Sequence, residues 1–156
     1  MRVLLIAAGT RQPSWVQAGY EQYARRLSGS CKMELVEIPL GRRSASGPVR
    51  KAVAQEAERM LRAIPRGARV VALDVNGASW TTPQLAARVL DWMAGGAPVC
   101  LLVGGPDGLS SGVLARAHER WSLSPLTLPH GLVRPLVAEA LYRAVSLTRG
   151  HPYHRG

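Results

Sequence analysis

Five short apolar runs, separated by longer amphipathic segments, constrain the fold of this chain more than any other feature. Two of them, RVVALDV (69–75) and PVCLLVGG (98–105), are apolar almost without interruption. Such runs are typical of parallel strands that are buried on both faces. The other three are RVLLIAAG (2–9), MELVEIPL (33–40) and WSLSPLTL (121–128). The alternation predicts an α/β domain with a mostly parallel sheet and helices on both faces.

The segments between and after these runs have the texture of helices. They lie at about 14–28, 48–64, 82–94, 108–119 and 133–148. In the last of them Val133, Val137, Leu141 and Val145 recur every four residues and form one apolar stripe. No repeat or low-complexity linker divides the chain, so residues 1–156 are predicted to form a single domain.

The composition excludes several classes of protein. Hydrophobic residues make up 47% of the chain, which is typical of a globular rather than a disordered protein. No apolar run approaches the roughly 18 residues that span a bilayer, so no membrane contact is expected. Cys31 and Cys100 are the only cysteines, and both lie in apolar segments. We expect them to be reduced core residues, consistent with a cytoplasmic location.

The net charge is the first indication of a partner. Twenty basic residues against ten acidic ones give the chain a net charge of +10. This excess favours a polyanion, with nucleic acid as the leading class; the alternative is a general enrichment in arginine. The segment GRRSASGPVRK (41–51) holds four basic residues and no large apolar residue before Val49. It is predicted to be an exposed loop that is either merely solvated or in contact with phosphate.

The fourth apolar run leads into a glycine-rich stretch, LLVGGPDGLSSG (101–112). Gly104, Gly105 and Gly108 lie where a strand gives way to a helix, and glycine lets a ligand approach the main chain closely. The spacing is neither the dinucleotide fingerprint G-x-G-x-x-G nor a phosphate-binding P-loop. From spacing alone the stretch is either a simple turn or a pocket lined by backbone.

Polar residues interrupt the fifth apolar run, and one lies near the end of the third. Ser122, Ser124 and Thr127 interrupt the fifth, and Pro125 cannot donate to a central ladder. The run is therefore either an edge strand or a loop around a ligand. Asp74, at the end of the third run, is open to three roles: catalysis, contact with a ribose, or capping of a turn.

The last nine residues, TRGHPYHRG (148–156), combine groups that suit RNA. The ring of Tyr153 can stack on an unpaired base, Arg155 can pair with phosphate, and His154 can exchange a proton near neutral pH. Pro152 breaks the helical spacing of the two tail histidines and no third ligand is nearby, so no metal site is predicted. Arg143 follows Glu139 by four residues, which is typical of a surface ion pair.

Three blocks of the sequence closely resemble the signature blocks of the ribosomal RNA large subunit methyltransferase H family of the SPOUT superfamily. They are LLVGGPDGLS, SLSPLTLPH and ALYRAVSLTRGHPYHR. The stretches AAGTRQPSWVQAGYEQYARRL and VVALDVNGASWTTPQLA fit the same pattern, so the resemblance covers essentially the whole chain. One departure is Asp107, where the family commonly has glutamate.

The resemblance implies a fold and an activity. The fold would be the α/β SPOUT fold, with a deep trefoil knot in the C-terminal part, roughly 70–156. The activity would be transfer of a methyl group from S-adenosylmethionine to N3 of a pseudouridine in 23S ribosomal RNA, on the assembled ribosome and without a metal. The positions carried over for cofactor binding are Leu73, Gly104, Gly105, Leu123, Ser124, Pro125, Leu126, Thr127 and Leu128.

The resemblance also implies a homodimer in which the tail of one subunit completes the site over the cofactor of the other. His154 is then the candidate base for the imide proton of N3. Arg143 or Arg155 is the candidate cation that steadies the uracil oxygens. Tyr153 would position the target base by stacking.

Overall fold

The computed structural model describes residues 1–155, apart from the side chain of His154. One sheet of five parallel strands has the order β2-β1-β4-β3-β5. The strands are β1 (Arg2–Ala8), β2 (Lys32–Ile38), β3 (Arg69–Ser79), β4 (Val99–Val103) and β5 (Glu119–Ser122). The helices are α1 (Ser14–Ala24), α2 (Val49–Ala63), α3 (Thr82–Gly95), α4 (Ser111–Arg116) and α5 (His130–Thr148), and a short C-terminal 3₁₀ helix spans Pro152–Arg155.

The sheet separates two apolar layers. Val3 and Leu5 of β1 pack in the layer formed with α1, α3 and α5, whereas Leu4 and Ile6 pack in the layer formed with α2 and α4. The two sets alternate because successive side chains of a strand point to opposite faces. This arrangement confirms the predicted parallel sheet with helices on both faces. The predicted knot and the single-domain assignment stay predictions.

The fifth apolar run, at 121–128, is a strand only in its first two residues. β5 is an edge strand that ends at Ser122, and residues 123–129 form a loop. Serine hydroxyls bind the backbone here in place of a ladder. Ser122 Oγ donates to the carbonyl oxygen of Ser124 at 3.0 Å, and Ser124 Oγ accepts the Leu126 N–H at 2.9 Å. The segment thus holds both of the structures that the sequence left open, an edge strand and then a loop.

The fourth predicted helix is also too long. The sequence predicts a helix over 108–119, but α4 covers only Ser111–Arg116. Ser110 caps its start by accepting the Val113 N–H at 3.1 Å. The residues before Ser110 belong to a tight glycine turn, and those after Arg116 lead into β5.

Helix α5 runs from the end of the sheet formed by the carboxyl ends of the strands to the end formed by their amino ends. The four stripe residues predicted from the sequence are all buried, with exposed fractions of 9% or less. The helix begins near the carboxyl ends of the strands. Near its end, Arg149 Nη2 donates to the carbonyl oxygen of Ser28 at 3.0 Å, just before the start of β2. The C-terminal tail therefore lies at the amino ends of the strands, opposite to their carboxyl ends.

Cys31 and Cys100 are both buried and unpaired, which confirms the expectation of reduced core residues. Burial raises the pKa of the Cys100 thiol to about 11. Among the described residues, no helix has the length and apolar character needed to cross a bilayer.

One residue of the core leads to a stability prediction. Tyr20 of α1 is 5% exposed, and its hydroxyl has no hydrogen-bond partner among the described residues. An unsatisfied buried hydroxyl costs about 1–3 kcal/mol, so we expect Tyr20→Phe to raise the free energy of unfolding by about 1 kcal/mol. Urea denaturation of both proteins measures the change, and a destabilised variant would contradict it.

The same substitution has an expected pH dependence. Burial raises the pKa of Tyr20 to about 12. Between pH 10, where the tyrosine of the unfolded chain ionises, and pH 12, the folded chain keeps a proton on Tyr20 that the unfolded chain has lost. The contribution of Tyr20 to the free energy of unfolding therefore falls as pH rises through this range. The advantage of Tyr20→Phe should grow correspondingly above pH 10.

Candidate functional site

A cavity of about 450 Å³ opens at the carboxyl ends of β3 and β4. This is the edge at which open parallel α/β sheets bind their ligands. Four segments line it: the end of β3, the glycine turn at 103–109, the loop after β5, and the first turn of α5. Eight of the nine cofactor positions implied by the resemblance are among its lining residues: Leu73, Gly104, Gly105, Leu123, Ser124, Leu126, Thr127 and Leu128. Pro125 belongs to the same loop but does not line the cavity.

Strand β3 is bulged where it borders the cavity. Trp121 of β5 pairs with both Leu73 and Ala78, so residues 74–77 bulge out of the ladder. Asp74 Oδ1 accepts the Asn76 N–H at 3.1 Å and thereby caps this turn. Of the three roles left open for Asp74, the structure shows the turn cap, and the residue also lines the cavity.

The glycine turn borders the cavity with its main chain. The Gly108 N–H donates to the Gly105 carbonyl at 3.1 Å. A Cβ on Gly104 would lie 2.5 Å from the carbonyl carbon of Gly108, and Gly108 itself has a φ of +77°. The path of this turn therefore requires glycine, and no side chain at Gly104 separates the backbone from a ligand.

The basic segment at 41–51 differs from the prediction at Arg43. Arg43 Nη1 lies 2.7 Å from Glu56 Oε2, and Arg43 Nε lies 2.9 Å from Asp107 Oδ2 in the glycine turn. A paired guanidinium is neither merely solvated nor available to phosphate, so both predicted alternatives are wrong for this residue. Arg42 is exposed, and residues 49–51 form the first turn of α2.

Within one chain, the tail residues lie far from the cavity. Arg143 is ten residues along α5 from Val133 of the cavity wall, which amounts to about 15 Å. Arg143 Nη2 lies 2.7 Å from Glu139 Oε1, which confirms the ion pair expected from their spacing. Tyr153 Oη donates to the same carboxylate oxygen at 3.2 Å.

The environment of Tyr153 limits its chemistry. Its ring packs edge-on against Tyr142 with 4.6 Å between centroids, and Arg143 Cζ lies 5.0 Å from its centroid. Burial, and then the Glu139 carboxylate, raise the pKa of Tyr153 to about 12. The phenol therefore keeps its proton at neutral pH, where it can stack or donate but cannot act as a base. Arg155 is exposed, and the side chain of His154 lies outside the described residues.

Sequence reasoning missed two residues at the start of α5. His130 lines the cavity. Arg134 is 1% exposed; its Nη1 donates to Glu37 Oε2 and its Nη2 to the Gly9 carbonyl, each at 2.7 Å. These bonds tie α5 to the ends of β1 and β2. An arginine directly beside the stripe residue Val133 is the signal that could have revealed it.

No group of three or more His, Cys, Asp or Glu residues that could hold a metal ion occurs in the described part of the chain. Asp74 is the one acidic residue, and His130 the one histidine, among the described residues that line the cavity.

Comparison with known proteins identifies the family of the chain. The family model described as "Predicted SPOUT methyltransferase" matches residues 1–154. Ribosomal RNA large subunit methyltransferase H of Alkalilimnicola ehrlichii is 56% identical over 155 residues, with 99% of each chain covered. The protein of the same name from Hahella chejuensis is 51% identical over 155 residues, again with 99% of each chain covered.

Among solved structures, a probable methyltransferase from Bordetella pertussis Tohama I is similar with a TM-score of 0.53. It is 18% identical, and the match covers 92% of this chain and 96% of that one. At this identity the likeness shows a shared fold alone. The family match and the full-length identity to two relatives carry the assignment. The chain belongs to the SPOUT methyltransferase family, in the branch of the ribosomal RNA large subunit methyltransferase H proteins.

Proposed function

We propose that the chain methylates N3 of a pseudouridine in 23S ribosomal RNA, with S-adenosylmethionine as donor and the assembled ribosome as substrate. The observation that carries the proposal is the cavity of about 450 Å³ at the carboxyl ends of the strands. Its size lies within the range of about 300–1,000 Å³ typical of small-molecule sites. The relatives are named as methyltransferases of ribosomal RNA, which supports ribosomal RNA as the substrate, and the net charge of +10 suits a polyanion.

The lining residues fit S-adenosylmethionine. Leu73, Val103 and Leu128 offer apolar walls, and Gly104 leaves room for close approach to the main chain. The loop after β5 lies outside the sheet ladder, so the peptide groups that its serine hydroxyls do not bind are available to a ligand. When bound, S-adenosylmethionine supplies a methyl group on a sulfonium that is already a good leaving group.

With such a donor, the chain itself must orient the target base and manage one proton. N3 of pseudouridine carries an imide proton that has to leave, and His154 is the proposed base. Arg143 or Arg155 would steady the uracil oxygens as charge develops on them. Tyr153 would position the target base by stacking on it. Holding the reacting groups in line supplies much of the rate enhancement.

We propose that the active form is a homodimer. The cavity and the tail lie at opposite ends of α5, so a complete site requires the tail of a second copy. Two exposed apolar side chains support association: Trp15 of α1 is 58% exposed and Leu136 of α5 is 38% exposed. These two helices pack against each other, and a Cβ on Gly19 would lie 3.2 Å from Pro135 Cβ. The proposal places the protein in the cytoplasm, with the ribosomes.

The test has two steps. Titration calorimetry measures binding of S-adenosylmethionine to the purified chain. Mass spectrometry of nucleosides then detects methylpseudouridine after incubation with assembled ribosomes that lack the modification. We expect binding and methylation of one residue per large subunit. Absence of binding at millimolar ligand would overturn the enzymatic proposal and favour a ribosome assembly factor with the same fold.

The exposed part of the basic segment gives a further prediction. Arg42, Arg50 and Lys51 are exposed and form no ion pair with a described residue. We expect reversal of all three to glutamate to weaken ribosome binding. It should also flatten the salt dependence by the equivalent of about three phosphate contacts. The affinity for S-adenosylmethionine should not change.

Filter binding at several salt concentrations measures the slope for both proteins. Arg62→Glu at the other end of α2 is the control for a charge reversal outside the segment. An unchanged salt slope in the triple variant would contradict contact with phosphate. Loss of cofactor binding would mean that the segment supports the fold instead.

A further inference from the structure

The glycine turn at 103–109 has two sides. One side borders the cavity, and the other packs against the chain after β2. A Cβ on Gly105 would lie 2.9 Å from Leu40 Cδ2 and 3.0 Å from Glu56 Oε1. The turn is therefore supported from behind by a wall of protein, and its shape depends on that wall.

Charged groups hold this wall together. The Glu56 side chain is 4% exposed, and its Oε2 accepts the Gly41 N–H at 2.9 Å. Its Oε1 has no hydrogen-bond partner among the described residues. Arg43 is the cation that balances this buried carboxylate, at 2.7 Å from Oε2. Removing one partner of a buried pair leaves an uncompensated charge.

The same guanidinium reaches into the glycine turn. Arg43 Nε lies 2.9 Å from Asp107 Oδ2, and Arg43 Nη1 donates to the Gly41 carbonyl at 3.2 Å. Asp107 follows Pro106, a residue of the cavity lining, by one position. Fixing the Asp107 side chain therefore fixes the backbone where it borders the cavity.

We propose that Arg43 is a positioning residue for the cofactor: it acts through Asp107 and Glu56 to hold the glycine turn in its binding shape. Arg43 does not line the cavity, so its effect passes through the turn. A guanidinium suits this role because its planar fork bonds two carboxylates at once, whereas the ammonium of lysine is a point charge on a flexible stem. The proposal rests on the proposed function, and it separates two adjacent arginines: Arg42 would serve the RNA, and Arg43 the cofactor.

The experiment measures the affinity for S-adenosylmethionine by titration calorimetry on the full chain, on four single variants and on one double variant. Arg43→Ala and Asp107→Asn should each weaken binding about tenfold or more, because small displacements of a binding group cost large factors. Asp107→Glu keeps the carboxylate and should retain most of the affinity. Arg42→Ala, the matched neighbour of equal charge, should leave cofactor affinity unchanged.

Two further readouts separate positioning from a general structural role. In the double variant Arg43→Ala with Asp107→Asn, binding should be no weaker than in Arg43→Ala alone. The reason is that Arg43→Ala already removes the contact with Asp107 that Asp107→Asn weakens. With ribosomes as substrate, the KM for S-adenosylmethionine should rise by the factor seen in calorimetry. The kcat at saturating cofactor should stay within about twofold, as expected when only binding is lost.

Several outcomes would overturn the inference. Binding by Arg43→Ala within about twofold of the unaltered chain is one, and fully additive losses in the double variant are another. If Arg43→Ala fails to fold, Asp107→Asn decides, because it leaves the Arg43–Glu56 pair intact. If the unaltered chain does not bind S-adenosylmethionine, the proposed function fails. If it binds and Arg43→Ala binds equally well, only the role of Arg43 fails.

Discussion

Deletion of residues 151–156 should abolish methylation of ribosomes and leave a folded chain that binds S-adenosylmethionine. The deletion removes the proposed base and the proposed stacking ring, and loss of general-base catalysis alone costs about 10²–10⁴ in rate. The fold should survive because Tyr153 contacts two half-buried residues of α5, Tyr142 and Glu139, rather than its fully buried stripe. Arg149, which ties α5 to the chain before β2, is retained.

Single-turnover methylation and calorimetry measure the two halves of this prediction. Tyr153→Phe is the matched control: it keeps the ring and loses only the hydroxyl bonded to Glu139. It should therefore retain most of the rate. Undiminished methylation by the truncated chain would show that the tail has no catalytic role.

Mixing two inactive variants tests whether subunits share the site. A truncated chain keeps its cavity, and a Gly104→Ala chain keeps its tail. A heterodimer of the two would contain one intact composite site. Equal mixing with free exchange should then restore about a quarter of the activity, since half the dimers are mixed and each has one working site of two. No recovery in a mixture shown to exchange would contradict a site shared between subunits.

Gly104→Ala should abolish cofactor binding. The added Cβ would lie 2.5 Å from the carbonyl carbon and 2.8 Å from the carbonyl oxygen of Gly108. Both are backbone atoms of the same tight turn, so the clash cannot be relieved by rotating a side chain. The turn must change its path where it borders the cavity, and a displacement of about 1 Å can cost a hundredfold in function. We expect at least that loss of affinity.

Calorimetry and thermal unfolding measure this variant. The added methyl group should also lower the free energy of unfolding by about 1–3 kcal/mol. Gly95→Ala at the end of α3 is the control, because a Cβ there would meet no atom within 4 Å. It should leave affinity unchanged and the chain at least as stable. Cofactor affinity within a few-fold in Gly104→Ala would contradict the assignment of the glycine turn to the cofactor site.

Much of the fold could be predicted from apolar patterning. β4 is buried at all five positions, and a strand covered on both faces must be apolar throughout. The limits of β5 could not be found in this way. Residues 123–128 (LSPLTL) are more apolar than the strand before them (ERWS), yet the strand ends where serine hydroxyls bind backbone groups.

The segments of the candidate site follow from topology. Leu73, Gly104 and the loop at 123–129 are far apart in sequence, but each follows a parallel strand. Parallel strands end at one edge of the sheet, so the cavity forms where these segments meet. Arg43 could not be singled out in the same way. It is one of four charges in a basic segment, and its partner Asp107 is 64 residues away.

By itself, the sequence determined the parallel sheet, the helices on both faces, the family and three of the four segments that line the cavity. These follow from periodicity and from local motifs, which are properties of short stretches of chain. Only the tertiary structure decided which of two adjacent arginines is paired. It also placed Arg143 and the C-terminal tail, whose side chains suit RNA, at least about 15 Å from the cavity, measured along α5 at about 1.5 Å per residue. Both depend on contacts between distant segments, and the direction in which a helix crosses a sheet is set by packing that no local pattern contains.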